Sequence, residues 1–350
     1  MGEGSRPRLP CPALQPFSTD DSDGRAWTLP PPPPPRKRRR WLWGCLPALV
    51  VGIVLLIIAA LLVARQQDGA IDRSPDGTVL PPNTVTTPVP GSTAVTSSCA
   101  ITQGLITREC AVILPPGVPE GTKLPVVFLL HGLGDGPGTI RDAGAWTDAV
   151  LARRFMLVTP SGIASSWNAG DCCGIAKGTG IDDTSYLATL VEEIARRPDV
   201  DTGRMYMAGF SNGGMMAYRF ACVSDRLAGI ASVSGTRVIN CPPRQPLPIL
   251  HIHGTADDTV PYQGGAGLVA AIMGVSFQPV PTMAEQVAAD DGCTAPPSDR
   301  TDGDLTYEEW NGCGGGSRVE LITIANWGHL WPLTGSLDAT DEILSFFGIS

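Results

Sequence analysis

The stretch Met205-Tyr206-Met207-Ala208-Gly209-Phe210-Ser211-Asn212-Gly213-Gly214-Met215-Met216-Ala217 decides how this chain is read. Met205 to Ala208 is a short apolar run without alternation, as in a buried strand. It stops at Gly209, and a helix pattern runs from Met215 to Phe220. Ser211 is therefore predicted on the turn between a strand and a helix, at the centre of a G-x-S-x-G pentapeptide. The spacing has a physical reason. A serine whose hydroxyl projects from a sheet edge must sit on a sharp, strained turn. Glycines two residues to either side remove side chains that would clash there, and Gly214 lets the helix cross close to the strand. The competing reading is a plain strand-to-helix turn.

Four more short apolar runs flank this one. Val126–Leu130 ends in His131-Gly132, Met156–Thr159 in Pro160, and Ile249–Ile252 in His253-Gly254. Leu321–Ile324 ends shortly before Gly328-His329. Between them lie helix patterns, such as Leu187, Leu190, Val191 and Ile194 at i, i+3, i+4 and i+7. Asp182 and Asp183 stand at that helix's start, suited to capping. Another helix carries Ile343, Leu344, Phe346 and Phe347. Alternating strands and helices predict a mostly parallel sheet with helices on both faces, and ligands then bind beyond the carboxyl ends of the strands. All the motifs named above fall at such ends.

A serine needs a base, and the chain has only 4 histidines. His251 lies inside a strand and reads as a packed core residue. His329 follows the last strand in a loop that can reach back to Ser211, and it is the expected base. The acid is expected between them in the chain, which selects Asp257 in His253-Gly254-Thr255-Ala256-Asp257-Asp258 over its neighbour Asp258. The oxyanion donors are the backbone N–H of Asn212, after the nucleophile, and of Leu133, in the glycine-rich loop after Leu130.

At this point the residues resemble a known family. Ser165-Ser166-Trp167-Asn168-Ala169-Gly170-Asp171-Cys172-Cys173-Gly174, Ile181-Asp182-Asp183 and Gly328-His329-Leu330-Trp331-Pro332 join the motifs above in the family's order. Over roughly residues 99–348 the chain resembles the extracellular polyhydroxybutyrate depolymerase and feruloyl esterase group of α/β-hydrolases. The resemblance implies carboxylic ester hydrolysis by Ser211, Asp257 and His329. It also implies that Trp167 and Trp331 line the acyl or alcohol pocket, core packing being the other reading of those two. Family members acting on solid polymer often carry an added binding domain. Here a stalk precedes the enzyme, so a small or oligomeric ester is the expected substrate. No cofactor and no metal are expected, since no Cys-x2-Cys pair is present. Alternatives on the same fold are a serine peptidase of prolyl-oligopeptidase type, an envelope acyltransferase and a non-catalytic surface-binding protein.

The N-terminal part reads differently. Residues 1–40 hold turn formers, the proline run Pro30 to Pro35 and the cluster Arg36-Lys37-Arg38-Arg39-Arg40, and are expected to be a disordered cytoplasmic tail. Trp41 to Ala64 carries no charge; as a helix it would be about 36 Å long, enough to cross a hydrocarbon core of about 30 Å. A single transmembrane helix is therefore expected over 41–64, ahead of the catalytic domain. It is too long for the apolar core of a cleaved signal peptide. The basic cluster on its N-terminal side places that side in the cytoplasm. Residues 65–98, rich in Thr, Pro and Ser, are expected to be a linker, and 99–350 the catalytic domain.

The formal net charge of −9 conceals an asymmetry. Residues 1–65 carry nine basic and four acidic side chains, and everything after them is strongly acidic, which excludes nucleic acid as a partner. Of the 10 cysteines, Cys11 and Cys45 fall in the tail and span. The other eight lie beyond the span, and their even number fits an oxidising, extracytoplasmic compartment. Cys99–Cys110 and Cys293–Cys313 are expected to pair, each flanking a hairpin. Pairing among Cys172, Cys173, Cys222 and Cys241 is left open.

Overall fold

The computed structural model describes residues 94–272, 274–333 and 335–350. The expected tail, membrane span and all but the end of the linker lie outside them. Among the described residues no helix is long and apolar enough to cross a membrane.

Ten strands form one sheet: β1 (Val95–Gln103), β2 (Ile106–Leu114), β3 (Leu124–Leu130), β4 (Met156–Pro160), β5 (Val200–Phe210), β6 (Gly229–Val233), β7 (Ile249–Gly254), β8 (Ser298–Asp302), β9 (Leu305–Trp310) and β10 (Val319–Ile324). Their order is β1-β2-β4-β3-β5-β6-β7-β10-β9-β8. The centre, from β4 to β10, is parallel, and an antiparallel hairpin closes each edge. The five apolar runs of the sequence are β3, β4, β5, β7 and β10. β6, with its glycine, alanine and serine, is too small-sided to stand out in the sequence, yet it lies between β5 and β7 in the middle of the sheet. The folded unit also begins before residue 99: Ser97 and Ser98, assigned above to the linker, lie in β1 and pair with Val112 and Ala111 of β2. Their small polar side chains read as stalk because an edge strand need not be apolar.

The helices are α1 (Pro137–Ala143), α2 (Trp146–Arg153), α3 (Gly174–Gly178), α4 (Asp183–Ala195), α5 (Asn212–Val223), α6 (Leu268–Ile272), α7 (Val280–Asp290) and α8 (Ala339–Phe346). Strand alternation divides the core into two layers. Val126, Phe128 and Leu130 face one layer with Leu187 and Leu190 of α4 and Met216 and Phe220 of α5. Val127 and Leu129 face the other with Trp146 and Val150 of α2 and Ile343 and Leu344 of α8. Burying each such side chain contributes about 1.5–3 kcal/mol, which is why the central strands are apolar on both faces. Asp182 caps α4 by accepting from the Ser185 N–H at 3.0 Å.

Cys99 and Cys110 are direct cross-strand partners and are bridged, and the Cys293–Cys313 bridge spans the β8–β9 hairpin, both as expected. Cys172 and Cys173 are bridged to each other. Cys222 and Cys241 are not bridged; the Cys222 thiol donates to the Cys241 carbonyl at 3.0 Å. Three bridges thus replace the four that an even count of eight suggested.

Candidate active site

The turn after β5 puts Ser211 at the carboxyl edge of the sheet with φ 52° and ψ −120°, outside the regions a serine favours. Such a conformation costs on the order of 1–3 kcal/mol and persists only where the surroundings enforce it. They do so by close packing. A Cβ on Gly213 would lie 2.3 Å from the Leu130 carbonyl oxygen, and one on Gly214 would lie 2.1 Å from Ser232 Oγ. Gly213 of the pentapeptide is therefore dictated by the end of β3 and Gly214, just after it, by β6, while a Cβ on Gly209 would lie 2.4 Å from the Gly213 backbone itself.

Asp257 follows β7 and His329 follows β10, adjacent parallel strands whose ends lie side by side. His329 Nδ1 is 2.7 Å from Asp257 Oδ2, and His329 Nε2 is 2.9 Å from Ser211 Oγ. With Nδ1–H donating to the carboxylate, Nε2 is left to accept the Ser211 hydroxyl proton. Exposure is graded along this chain: the Asp257 side chain is 0% exposed and that of His329 16%. His329 thus faces the opening and Asp257 is sealed behind it. Asp257 Oδ1 accepts from the Thr259 and Val260 N–H groups at 2.9 and 2.8 Å. Burial alone would push this carboxyl up. Hydrogen bonds from His253, His329 and Val260, with the charge of His329, outweigh it and hold Asp257 well below the usual carboxylate range. Asp258 is exposed and makes only a long contact from Thr259 Oγ1.

Ser211 and His329 open on a cavity of about 260 Å³ walled by Leu133, Phe210, Met215, Val260 and Phe277, with Cys172–Cys173 on one side. Leu133 and Asn212 both border it. The Asn212 N–H lies in the first turn of α5, where no helical carbonyl stands behind it. The Leu133 loop is fixed by His131. Its Nε2 accepts from the Gly162 N–H at 2.9 Å, so its Nδ1–H donates to the Gly132 carbonyl at 2.8 Å. Burial lowers the pKa of this imidazole, in keeping with a neutral ring.

The two tryptophans do not reach the cavity. Trp167 is fully buried: its indole N–H donates to the His131 carbonyl at 2.9 Å, and its backbone is clamped by the Asn212 side chain at 2.7 and 2.9 Å. Trp331 packs against Trp146 and Phe210 in the opposite core layer and donates to Thr340 Oγ1. Both follow the packing reading, because each indole N–H has its partner inside the fold. Sequence reasoning also missed Arg108, which forms a buried ion pair with Asp183 at 2.6 Å and stacks on Tyr186. Asp183 in turn accepts from the Asn168 N–H, so this pair anchors the segment carrying Trp167 and the Cys172–Cys173 bridge. Nothing in the sequence links residue 108 to 183. Among the described residues, Asp291, Cys293 and Cys313 bring ligand-type atoms within 4.8 Å of one another, but the two sulfurs are bridged.

Residues 176–278 match the family model described as Phospholipase/Carboxylesterase. Feruloyl esterase B from Piromyces equi is 32% identical over 236 residues, 63% of this chain and 42% of that protein. The bifunctional acetylxylan esterase/xylanase XynS20E from Neocallimastix patriciarum is 28% identical over 166 residues, 46% of this chain and 23% of that protein. The chain thus spans less than half the length of these two relatives. Among solved structures, an acetyl xylan esterase from Aspergillus awamori aligns with a TM-score of 0.52 at 14% identity, over 73% of this chain and 100% of that one. The described residues have the α/β-hydrolase fold.

Proposed function

We propose that this chain is a membrane-tethered, extracytoplasmic serine esterase that cleaves small or oligomeric carboxylic esters of feruloyl or acetyl type through an acyl-enzyme. The observation that carries the reading is the unbroken hydrogen-bonded chain from Ser211 Oγ through His329 to the sealed Asp257. In this reading the Ser211 oxygen attacks the ester carbonyl as its proton passes to His329 Nε2. Asp257 holds the ring and stabilises the imidazolium. The N–H groups of Leu133 and Asn212 receive the developing oxyanion. His329 then returns the proton to the departing alcohol, and water, activated by the same imidazole, releases the acid from Ser211.

A cavity of about 260 Å³ with mostly apolar walls suits one acyl or aryl group, not a length of polymer. Feruloyl and acetyl groups are favoured because the relatives above are named for them. Polyhydroxybutyrate oligomers, which the sequence resemblance suggests, belong in the same substrate panel. Membrane attachment through 41–64 and an extracytoplasmic catalytic domain rest on the charge-free run, the basic cluster before it and the cysteines after it.

The test is a panel of p-nitrophenyl acetate, methyl ferulate, hydroxybutyrate dimers and peptide anilides on the full chain, with fluorophosphonate labelling. Ester turnover and a label on Ser211 are expected. Turnover of anilides alone, or a label elsewhere, overturns the reading. Protease added to intact cells should release the catalytic domain; its protection would invert the topology.

A further inference from the structure

Behind Asp257 lies a file of buried polar side chains that the reaction described above does not use. Along β7, Leu250 and Ile252 face one core layer, so His251 and His253 face the other, beneath Tyr218 of α5. Tyr218 Oη is 3.1 Å from His251 Nδ1, and His251 Nε2 is 3.0 Å from His253 Nδ1. His253 Nε2 is 2.8 Å from the Val260 carbonyl oxygen and 3.3 Å from Asp257 Oδ2, the oxygen that also receives His329. Both imidazoles are about 1% exposed, so no water completes their bonding by default.

The direction of these bonds is fixed from one end. The Val260 carbonyl can only accept, so His253 Nε2 must carry a proton. In a neutral ring Nδ1 then accepts, which requires His251 Nε2 to donate and His251 Nδ1 to accept from the Tyr218 hydroxyl. A cation on His251 would be buried with no anion beside it, and one on His253 would have to share Asp257 with His329. Burial moves both His251 and Tyr218 toward their neutral forms.

We infer that the file Tyr218–His251–His253 is a one-way hydrogen-bond relay whose last N–H, donated to the Val260 carbonyl at 2.8 Å, is thereby held 3.3 Å from Asp257 Oδ2, making His253 a positioning residue for the acid. The inference rests on the proposed catalytic roles of Asp257 and His329. The carboxylate has two backbone N–H donors on Oδ1 and His329 on Oδ2, and the polar Nε2–H edge of His253 stands 3.3 Å from that second oxygen, so its charge acts on both rings. Without His253, more of that charge falls on His329 and stabilises its protonated form. The groups facing His329 are Asp257, Ser211 and, from the oxyanion loop, Asp135. Those facing His253 are His251, Asp257 and Tyr262 of the loop after β7.

The full chain has only 4 histidines, so ¹⁵N-histidine labelling gives a readable spectrum. His251 and His253 should both show the neutral Nε2–H tautomer. An Nδ1–H tautomer or an imidazolium at either position overturns the relay. The second arm is kinetic. His253→Leu should lower kcat on the order of 10–100-fold, the usual effect of losing an outer hydrogen-bond partner of a reacting group, with KM little changed. The acid limb of its kcat/KM profile should move to higher pH. His253→Gln, whose amide can donate from nearly the position of Nε2, should restore most of both. A kcat loss with the acid limb unmoved, or no rescue by Gln, reduces His253 to a packing residue. If His253→Leu fails to fold, the wild-type spectrum and His253→Gln decide the matter. Failure of the underlying reading is separate: Ser211→Ala would then keep its ester turnover, whatever the imidazole spectrum shows.

Discussion

The turn after β5 and the loop after β7 stand at the same edge of one sheet, two strands apart, and they are held by different forces. At Ser211 the backbone is confined by what is missing: with no side chain at Gly213 and Gly214, β3 and β6 come within contact of the turn. At Asp257 the backbone is confined by what is present, namely hydrogen-bond donors on both carboxylate oxygens. Steric confinement leaves a compact signature in the chain, since the glycines must be at fixed offsets. Confinement by hydrogen bonds does not, because the donors come from the neighbouring backbone, from β7 and from a loop 72 residues away.

The largest effect that tests this contrast is chemical. Ser211→Ala and His329→Ala should each lower ester turnover on the order of 10⁴–10⁶-fold, without adding when combined, and circular dichroism should show an intact fold. Asp257→Asn should cost about 10⁴, because the amide cannot hold the correct tautomer of His329. Asp258→Asn, at an exposed side chain, should leave turnover intact; the reverse result would move the acid by one residue.

A smaller effect is expected from the glycines. Gly213→Ala should destabilise the fold by about 1–3 kcal/mol or more in urea unfolding, as overpacking against backbone does. Gly138→Ala, in α1 with only an ordinary 3.8 Å neighbour, should instead gain about 0.5–1 kcal/mol. Equal effects at the two sites would remove the steric account of the serine turn.

Buried carboxyls sharpen the contrast at the smallest scale. Asp257 is held low by its donors, so its contribution to stability is present above its unfolded pKa of about 3.9 and disappears as pH falls through the still lower folded value. Glu320 on β10 has no such donors. Burial, with Glu309 paired opposite and Glu342 nearby, pushes it up to about 7. Between its unfolded value of about 4.3 and the folded value of about 7, the unfolded chain gives up this proton first, so stability should decline with rising pH and then level off. Glu320→Gln should flatten that part of a melting-temperature profile. A profile indifferent to the substitution would show that Glu320 is solvated.

Five parallel strands, the serine turn and the nearness of Asp257 rather than Asp258 to His329 were legible because each is a local pattern: an apolar run, a glycine offset, or an order along the chain. Ser97 and Ser98 were misassigned to the stalk because an edge strand makes no demand for apolar side chains. Trp167 and Trp331 were drawn into the pocket by their place beside the motifs. A residue's neighbourhood in sequence does not say which way a large ring turns; the indole N–H partners, the His131 carbonyl and Thr340, decide that.

The sequence by itself determined the strand-to-helix punctuation, the placing of Ser211, Asp257 and His329 at strand ends, and the pairings Cys99–Cys110 and Cys293–Cys313 across hairpins. All of these follow from short-range rules of period, turn geometry and spacing. The tertiary structure alone decided that Arg108 would pair with Asp183 and so anchor the Asn168 segment. It also decided that His251, which reads as core, would line up with His253 behind Asp257. Those contacts arise only when the alternating faces of distant strands and helices are brought into one buried layer, where every polar atom must find a partner.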